Sequence, residues 1–214
     1  MSTLFVGDVH GCAEELAAMV EQAGGAQIVL VGDLFLKGPD PAGVWALLRD
    51  HGMASVLGNH DDRLLKVVDG ASDHRGARTC IDVLDASDPG WLPWLRGCPL
   101  FLEAAGFTVV HAALHPSGDL ARTTRDTALY LRRWPDDEEG QPFWWKVYEG
   151  TRHVVFGHDA RRGLIQIERD GQLHLLGLDT GCVYGGQLSG WLVEEQRLIQ
   201  VPAKAVYSRP GAEG

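Results

Sequence analysis

The sequence predicts an α/β fold in which two β-sheets pack together and are flanked by helices. Three observations support this prediction. Short apolar runs each end in a glycine or in a side chain that can bind metal, the stretches between the first three runs have helical spacing, and the last third contains hairpin patterns. Strands that alternate with helices indicate a layered fold with right-handed crossovers, and the hairpins add antiparallel strands.

Six apolar runs predict buried strands, because they are rich in β-branched residues and are bounded by glycine or polar residues. They are residues 4–6, 28–31, 55–57, 107–110, 153–156 and 175–178. Two helices are predicted between the first three strands. Residues 12–23 place Leu16, Met19 and Val20 on one face, and residues 41–51 follow a Pro-Asp-Pro start signal.

The C-terminal third predicts antiparallel structure. Residues 164–168 and 172–176 flank an Arg-Asp-Gly turn, which is a strong hairpin signal, and a second hairpin pairs residues 188–194 with 197–201. The one long irregular stretch is 117–150, which has an acidic, proline-bearing centre; a loop of this kind in a compact domain is usually functional or mobile. Without repeats or linkers, residues 1–214 are expected to form a single domain.

The composition excludes several classes of protein. Of the 214 residues, 45% are hydrophobic, which is far too many for a disordered chain. The formal net charge of −10 argues against stable nucleic-acid binding, which needs a basic face. An acidic chain can still bind a phosphorylated substrate, because bound metal ions reverse the sign of the field inside one cleft.

The sequence also predicts a soluble protein of the cytoplasm. It contains no apolar run of about 20 residues and no basic N-terminal leader, so neither a membrane span nor a signal peptide is expected. Its four cysteines form no Cys-x-x-Cys pair and are too few for a disulfide framework. We expect them to be small apolar residues in a reducing compartment; they are Cys12, Cys80, Cys98 and Cys182.

Polar side chains that can bind metal follow five of the predicted strands. They are Asp8, His10, Asp33, Asn59, His60, His111 and His158. An isolated histidine at a strand end is more often structural, but ligands in α/β folds gather at the carboxyl ends of strands. Carboxylates combined with imidazoles suit manganese, iron, cobalt or zinc, whereas magnesium and calcium prefer oxygen ligands alone. The set as a whole therefore predicts a metal site.

The spacing of these residues predicts two ions. Asp8 and His10 lie two residues apart on one loop and can reach the same ion, while the two carboxylate oxygens of Asp33 can bridge two ions. The remaining ligands of the second ion are Asn59, His111 and His158. Two ions about 3.5–4 Å apart are the recurring arrangement for phosphoryl-ester hydrolysis.

Two further residues have predicted roles in that chemistry. His60 is left over once the ligands are assigned, and it is the natural general acid for the leaving oxygen while metal-bound hydroxide attacks phosphorus from the opposite side. Lys37, four residues after Asp33, can place an ammonium group against a non-bridging phosphate oxygen.

The motifs that carry these residues resemble those of the calcineurin-like metallophosphoesterases. In chain order they are Gly7-Asp8-Val9-His10-Gly11, Gly32-Asp33, Gly58-Asn59-His60-Asp61, Val110-His111-Ala112 and Gly157-His158. They are most similar to the phosphoprotein-phosphatase branch, and within it to the symmetrical diadenosine tetraphosphatases. The resemblance implies a four-layer αββα fold and a dinuclear centre, for which manganese is the expected metal and cobalt, iron, zinc and magnesium are alternatives.

Two departures from this branch bear on how phosphate is bound and how His60 is oriented. Leu36 stands where protein serine/threonine phosphatases have an aspartate that orients the catalytic histidine, and Lys37 stands where an arginine is common. The resemblance also implies a second phosphate-binding arginine in the variable, substrate-side segment 117–150. Arg132 and Arg133 are both candidates, and their spacing does not choose between them.

The expected substrate is diadenosine tetraphosphate or another nucleoside polyphosphate. The alternatives are a phosphoprotein phosphatase acting on Ser, Thr or Tyr, and a scaffold that kept the fold and lost the chemistry. All ligand candidates and His60 are present, which disfavours the scaffold. Aromatic residues near the segment 117–150 could stack on a nucleobase, although core packing is the commoner role; they are Trp134, Trp144, Trp145 and Tyr148.

Overall fold

A computed structural model describes residues 2–209 and 211 of the chain. Six helices are named here: α1 (Ala13–Gln22), α2 (Pro41–Asp50), α3 (Asn59–Val68), α4 (Arg75–Ser87), α5 (Trp91–Arg96) and α6 (Arg125–Tyr130). Short 3₁₀ turns cover Leu120–Arg122, Trp144–Lys146 and Cys182–Tyr184. Within the described ranges, every helix is too short or too polar to cross a lipid bilayer.

Ten strands form two five-stranded sheets. The first sheet has the order β10-β9-β1-β2-β3 and the second β4-β5-β6-β8-β7. The strands of the first sheet are β1 (Thr3–Val6), β2 (Gln27–Leu30), β3 (Ala54–Ser55), β9 (Gln187–Leu192) and β10 (Arg197–Pro202). Those of the second are β4 (Phe101–Ala104), β5 (Phe107–Val110), β6 (His153–Phe156), β7 (Ile165–Arg169) and β8 (Gln172–Gly177).

Both sheets are mixed. In the first sheet β1, β2 and β3 are parallel, whereas β9 is antiparallel to β1 and to β10. In the second sheet β5, β6 and β8 are parallel, and β4 and β7 are antiparallel edge strands. The prediction of two sheets flanked by helices is therefore confirmed, and both predicted C-terminal hairpins are present.

Successive side chains along each strand point alternately to the two faces of the sheet, and both faces of each sheet are covered. Phe5 of β1 packs in a cluster between the sheets, and its ring lies 5.6 Å from that of Phe107 in β5. Its neighbours Leu4 and Val6 point the other way, into the core under the helices of the first sheet. Because successive side chains point to opposite faces, continuous apolar runs are needed for strands covered on both sides.

The outer face of the second sheet is covered by the segment predicted to be irregular. Trp144 and Trp145 are buried there against Phe156 of β6, with ring centroids 4.9 and 5.7 Å from it. The segment contains α6 and two 3₁₀ turns, so it is more ordered than its composition suggests. Core packing, rather than stacking on a ligand, is thus the role of Trp144, Trp145 and Tyr148.

One predicted strand is much shorter than expected. Residues 55–57 were expected to be extended, but β3 pairs with β2 only through Ala54 and Ser55. Leu57 leaves the sheet because its N–H donates to the carbonyl of Pro99, and α3 begins two residues later. The shortening brings the start of α3 to the edge where the other polar loops meet.

Candidate active site

The predicted metal ligands come together at one edge of the two sheets. Loops after β1, β2, β3, β5 and β6 supply them, and all are buried although all are polar: Asp8, His10, Asp33, Asn59, His111 and His158. Backbone bonds hold these loops in contact. The N–H of His10 donates to the Asp33 carbonyl at 2.7 Å, and the N–H of Gly157 donates to the His111 carbonyl at 2.8 Å.

One group of ligand atoms lies around Asp33. The Nδ1 of His10 donates to the Leu36 carbonyl at 2.9 Å, so the proton of the neutral ring is on Nδ1. The Nε2 therefore carries a lone pair, and it lies 3.5 Å from Oδ2 of Asp33. Burial, followed by the charge of Lys37, lowers the pKa of His10 well below its usual value, which keeps the ring neutral. Two electron-rich atoms held side by side fit a shared cation.

A second group lies around Asn59 and repeats this geometry. The Nδ1 of His111 donates to the Val31 carbonyl at 2.8 Å, and its Nε2 lies 2.9 Å from Oδ1 of Asn59 and 3.5 Å from Oδ1 of Asp33. The Nε2 of His158 donates to the Tyr130 carbonyl at 2.9 Å, and its Nδ1 lies 3.0 Å from the same Asn59 oxygen. Burial lowers the pKa of His111 to about 4. Both lone pairs thus converge on Oδ1 of Asn59, and His111 also approaches Oδ1 of Asp33, whereas His10 approaches Oδ2.

The carboxylates of the site are crowded and buried. Burial raises the pKa of Asp33 to about 6. The pKa of Asp8 is also raised, first by burial and then by the charges of Asp179 and Asp33. Burial raises the pKa of Asp179 to about 7. Such acids are costly to ionise without nearby positive charge, so divalent cations fit this pocket electrostatically.

Asp179 was missed as a functional candidate at the sequence level. Its carboxylate accepts a hydrogen bond from the N–H of Gly181 at 3.1 Å, as a turn-forming aspartate would. The same residue lines the active-site cleft and contributes charge that raises the pKa of Asp8. The signal available in the sequence was its place after the last apolar run, the same place that the ligands occupy on other strands.

The backbone is strained at several residues of the candidate site. Among the described residues, seven other than glycine have a positive φ, and four of them are His10, Asp33, Lys37 and His158. The other three lie in hairpin turns. Side chains other than glycine are uncommon in this region of φ, and such positions cluster at functional sites.

Asp61 ties two of the ligand loops together. One of its carboxylate oxygens accepts from the N–H groups of Asp33 and Gly58, at 2.8 and 3.0 Å, and the other accepts from the N–H of Leu34 at 3.0 Å. A Cβ at Gly58 would lie 2.2 Å from the Asp33 nitrogen, so only glycine allows this approach. Asp61 thus fixes Asp33 against the start of α3.

His60 lies beside the first ligand group. Its backbone N–H donates to Oδ1 of Asp33 at 2.8 Å, and its ring packs edge-on against His10 with centroids 5.1 Å apart. Its Nδ1 is buried, and none of the described residues forms a hydrogen bond with it. Burial, with His10 as the next cause, lowers the pKa of the ring. His60 therefore lies beside the first ligand group, and among the described residues no carboxylate is bonded to its Nδ1.

The three candidate phosphate-binding residues make different contacts. The Nζ of Lys37 donates to the hydroxyl of Tyr184 at 2.8 Å and faces the cleft. Arg132 donates to the carbonyl of His158 at 3.4 Å, so its guanidinium reaches the second ligand group. Arg133 instead donates to the Gln141 carbonyl and lies 4.3 Å from the centre of the Phe143 ring. Arg132 is the better placed of the two arginines.

Basic side chains outnumber acidic ones in the lining of the cleft, which also includes Asp33, Asp137, Asp159 and Asp179. The cleft has a volume of about 920 Å³. Its basic lining residues are Lys37, Arg63, Arg132, Arg133, Arg161, Arg162 and Arg209. Seven cations line one cleft of a chain whose net charge is −10. They come from five separate segments of the chain, so no single local motif predicts the cluster. The cluster suits a ligand with several negative groups.

Comparison with known proteins agrees with this geometry. The family profile described as calcineurin-like phosphoesterase matches residues 1–179. A symmetrical bis(5'-nucleosyl)-tetraphosphatase from Janthinobacterium sp. (strain Marseille) is 27% identical over 278 aligned positions that cover 99% of each chain. Because 278 positions exceed the 214 residues of this chain, that relative contains inserted segments without a counterpart here. A symmetrical bis(5'-nucleosyl)-tetraphosphatase from Ralstonia nicotianae is 31% identical over 86% of each chain.

Solved structures extend the comparison. A crystal structure of a provisionally assigned diadenosine tetraphosphatase has 33% sequence identity and a TM-score of 0.80, and covers 94% of this chain and 93% of that one. A protein serine/threonine phosphatase from Saccharomyces cerevisiae shares the fold alone, at 16% identity and a TM-score of 0.57, covering 100% of this chain and 82% of that one. With the profile match and the converging ligands, the chain belongs to the calcineurin-like phosphoesterases and is a metal-dependent hydrolase of phosphorylated substrates.

Proposed function

We propose that this chain hydrolyses dinucleoside polyphosphates and cleaves diadenosine tetraphosphate symmetrically into two molecules of ADP. The observation that carries the proposal is the set of seven cationic side chains that line one cleft together with four of the six proposed ligands. A single phosphate monoester needs few positive partners, whereas a chain of four phosphates can engage several along a cleft. The names of the similar proteins from Janthinobacterium and Ralstonia support the same substrate class.

In this proposal the ligands divide between two ions. Asp8 and His10 would hold the first ion, Asn59, His111 and His158 would hold the second, and Asp33 would be shared by both. Three imidazoles combined with carboxylates and an amide oxygen favour a first-row transition ion, and we propose manganese. When bound, two such ions supply charge stabilisation on the phosphoryl oxygens and lower the pKa of a water molecule.

The chain's own residues position the substrate and move a proton. Lys37 and Arg132 bind non-bridging oxygens of the phosphate that is attacked, because their cationic groups face the cleft beside the ligands. His60 acts as the imidazolium, the form that the anionic phosphates of a bound substrate favour, and donates its proton to the oxygen of the departing ADP as the phosphoanhydride bond breaks, leaving a neutral ring. Its ring lies 5.1 Å from that of the proposed ligand His10.

We also propose that the protein works in the cytoplasm. All four cysteines are free, and Cys12, Cys80 and Cys182 are buried, which suits a reducing compartment. The similar tetraphosphatases are bacterial.

The test is a hydrolysis assay of the purified protein reconstituted with Mn²⁺ or Mg²⁺. It compares diadenosine tetraphosphate, tripolyphosphate, a phosphopeptide and an aryl phosphate, and separates the products by chromatography. We expect the dinucleotide to be cleaved fastest and to give ADP alone. ATP and AMP as products would contradict symmetrical cleavage. A preference for the phosphopeptide would indicate a protein phosphatase, and no turnover with either metal would indicate a scaffold.

A further inference from the structure

Two arginines of the active-site cleft lie against the ring of Phe143. The guanidinium carbon of Arg133 lies 4.3 Å from the centre of that ring, and the guanidinium carbon of Arg162 lies 4.8 Å from it. All three residues line the same cleft as four of the proposed ligands. A planar guanidinium that packs on an aromatic ring keeps its N–H groups available for an anion. The Phe143 ring therefore supports two cationic groups within the cleft.

The Phe143 ring is anchored to the core of the second sheet. It stacks on the ring of Trp145, with centroids 4.6 Å apart and planes inclined by 7°. Trp145 is buried and stacks in turn on Phe156 of β6, at a centroid distance of 5.7 Å. A guanidinium that packs against these rings is partly ordered before an anion arrives. Binding the anion then costs less side-chain entropy than it would at a mobile arginine.

The guanidinium of Arg162 keeps its hydrogen-bond donors for a ligand. Its Nε lies 3.9 Å from Oδ2 of Asp159, which is an ion-pair distance and too long for a hydrogen bond. Within residues 2–209 and 211, the Arg162 side chain forms no hydrogen bond, and 43% of it is exposed. Arg133 donates to the carbonyl of Gln141, which carries no charge. The two guanidinium groups repel each other, and an anion bound beside them would offset that repulsion.

Asp159 lies between Arg162 and the arginine beside the proposed ligands. Oδ1 of this buried carboxylate lies 4.0 Å from Nε of Arg132, whereas Oδ2 is the oxygen that faces Arg162. The other contacts of the two arginines differ. Arg132 donates to the carbonyl of the proposed ligand His158, and Arg162 packs on Phe143. Arg162 is therefore placed to bind a different phosphate from the one that Arg132 binds.

We propose that Arg162 binds a phosphate next to the one that is attacked and thereby selects substrates that contain a chain of phosphates. The inference rests on the proposed function, in which Lys37 and Arg132 bind the attacked phosphate. A phosphate monoester has no further phosphate for Arg162. A dinucleoside polyphosphate has one, and its two non-bridging oxygens match the paired N–H groups of a guanidinium. Arg133, on the same ring, adds positive charge to this subsite.

The test compares a substrate that has one phosphate with a substrate that has four. Arg162→Ala removes the guanidinium, and Arg162→Lys keeps the charge without the paired donors. Arg78→Ala is the matched control, because Arg78 is an exposed arginine of α4 outside the lining of the cleft. Each variant is loaded with Mn²⁺ and assayed on an aryl phosphate and on diadenosine tetraphosphate. Thermal unfolding checks the fold of each variant.

We expect Arg162→Ala to lower kcat/KM on diadenosine tetraphosphate by about 10–100-fold, the scale of a lost hydrogen bond to a charged group. The kcat/KM on the aryl phosphate should not change. Arg162→Lys should recover part of the loss, and Arg78→Ala should match the wild type on both substrates.

Binding is measured separately by calorimetry on the protein loaded with Mn²⁺. The probes are orthophosphate and an analogue of diadenosine tetraphosphate whose bridging oxygens are replaced by methylene groups, so that it is not hydrolysed. Arg162→Ala should weaken binding of the analogue by the same factor as it lowers kcat/KM. Binding of orthophosphate, which occupies the position of the attacked phosphate alone, should not change.

Three results would overturn the inference. In Arg162→Ala, unchanged kcat/KM on the dinucleotide together with unchanged binding of the analogue would show that Arg162 contacts no phosphate. An equal loss on both substrates would show that it acts on the attacked phosphate or on the fold. A wild type that binds the analogue no better than orthophosphate would show that the subsite does not exist. The proposed function fails separately if the wild type hydrolyses the aryl phosphate and not the dinucleotide, and binding of the analogue still tests Arg162 in that case.

Discussion

Three histidines of the site share one arrangement at the level of single atoms. His10, His111 and His158 each donate one ring N–H to a backbone carbonyl, of Leu36, Val31 and Tyr130 respectively. This bond sets the tautomer and aims the other nitrogen at the ligand cluster. Backbone groups therefore fix the ring orientation of three proposed ligands.

Substitution of His60 separates catalysis from metal binding. We expect His60→Ala to lower kcat on diadenosine tetraphosphate by about 10²–10⁴-fold, the usual contribution of a general acid. Metal content, measured by elemental analysis, should stay at the wild-type level because the proposed ligands are untouched. The control is His51→Ala at the exposed C-terminal end of α2. Unchanged kcat in His60→Ala would refute the proposed proton transfer.

The two adjacent arginines should differ in effect. Arg132→Ala removes a guanidinium that reaches the ligand group, so kcat/KM should fall by about 10–100-fold, as for a lost hydrogen bond to a charged group. Arg133→Ala should cause a smaller loss, because Arg133 is engaged with Gln141 and Phe143. Steady-state kinetics of both variants measure the difference, and a larger effect at Arg133 would reverse the assignment.

At the scale of elements, the site depends on how closely the loops after the strands approach each other. The loop after β6 lies against the loop after β1, where the N–H of His158 donates to both carboxylate oxygens of Asp8 at 3.2 Å. A Cβ at Gly157 would lie 2.0 Å from Oδ1 of Asp8. Glycine is therefore required here by the space between two strands of different sheets, and not by its own conformation.

This contact predicts that metal binding and activity are sensitive to any side chain at position 157. Gly157→Ala should displace Asp8 and reduce both metal content and activity, because the new methyl group and the carboxylate cannot occupy the same space. Gly97→Ala, whose Cβ meets nothing closer than 3.2 Å, is the control and should retain both. Elemental analysis and the hydrolysis assay measure the effect. Full metal loading in Gly157→Ala would show that the loops can separate without cost.

At the scale of the whole molecule, the proposed ligands come from both sheets. Asp8, Asp33 and Asn59 follow strands of the first sheet, and His111 and His158 follow strands of the second. Bound ions would therefore connect the two sheets at one edge, in addition to the apolar cluster that joins them inside. They would also offset the repulsion between the buried carboxylates.

Metal removal should consequently lower the stability of the whole domain. Ligands that bind only the folded state stabilise it by about 2.7 kcal/mol at a concentration 100-fold above Kd. For a domain of this size, chelation should lower Tm by about 5–10 °C, and added Mn²⁺ should restore it. Calorimetry measures the shift. Asp33→Asn, which removes the bridging carboxylate, should show a much smaller response to Mn²⁺, and an equal response would place the stabilising ion elsewhere.

Several features could be predicted from the sequence because they depend on local pattern. Strand runs, helix starts and hairpin turns follow from periodicity and from residues such as Asp170 and Gly171 in the turn between β7 and β8. The candidate ligands were also predictable, since parallel strands bring their carboxyl ends to one edge and each ligand directly follows a strand.

Only the tertiary structure could decide the rest. The difference between Arg132 and Arg133, the position of Asp179 in the cleft, the bond from Lys37 to Tyr184 and the packing of Arg162 on Phe143 all depend on side-chain directions set by distant segments. The sequence alone determined which chemical groups stand at the ends of the strands. Packing determined which of them meet, because contacts between residues far apart in the chain follow from the arrangement of the two sheets and not from local spacing.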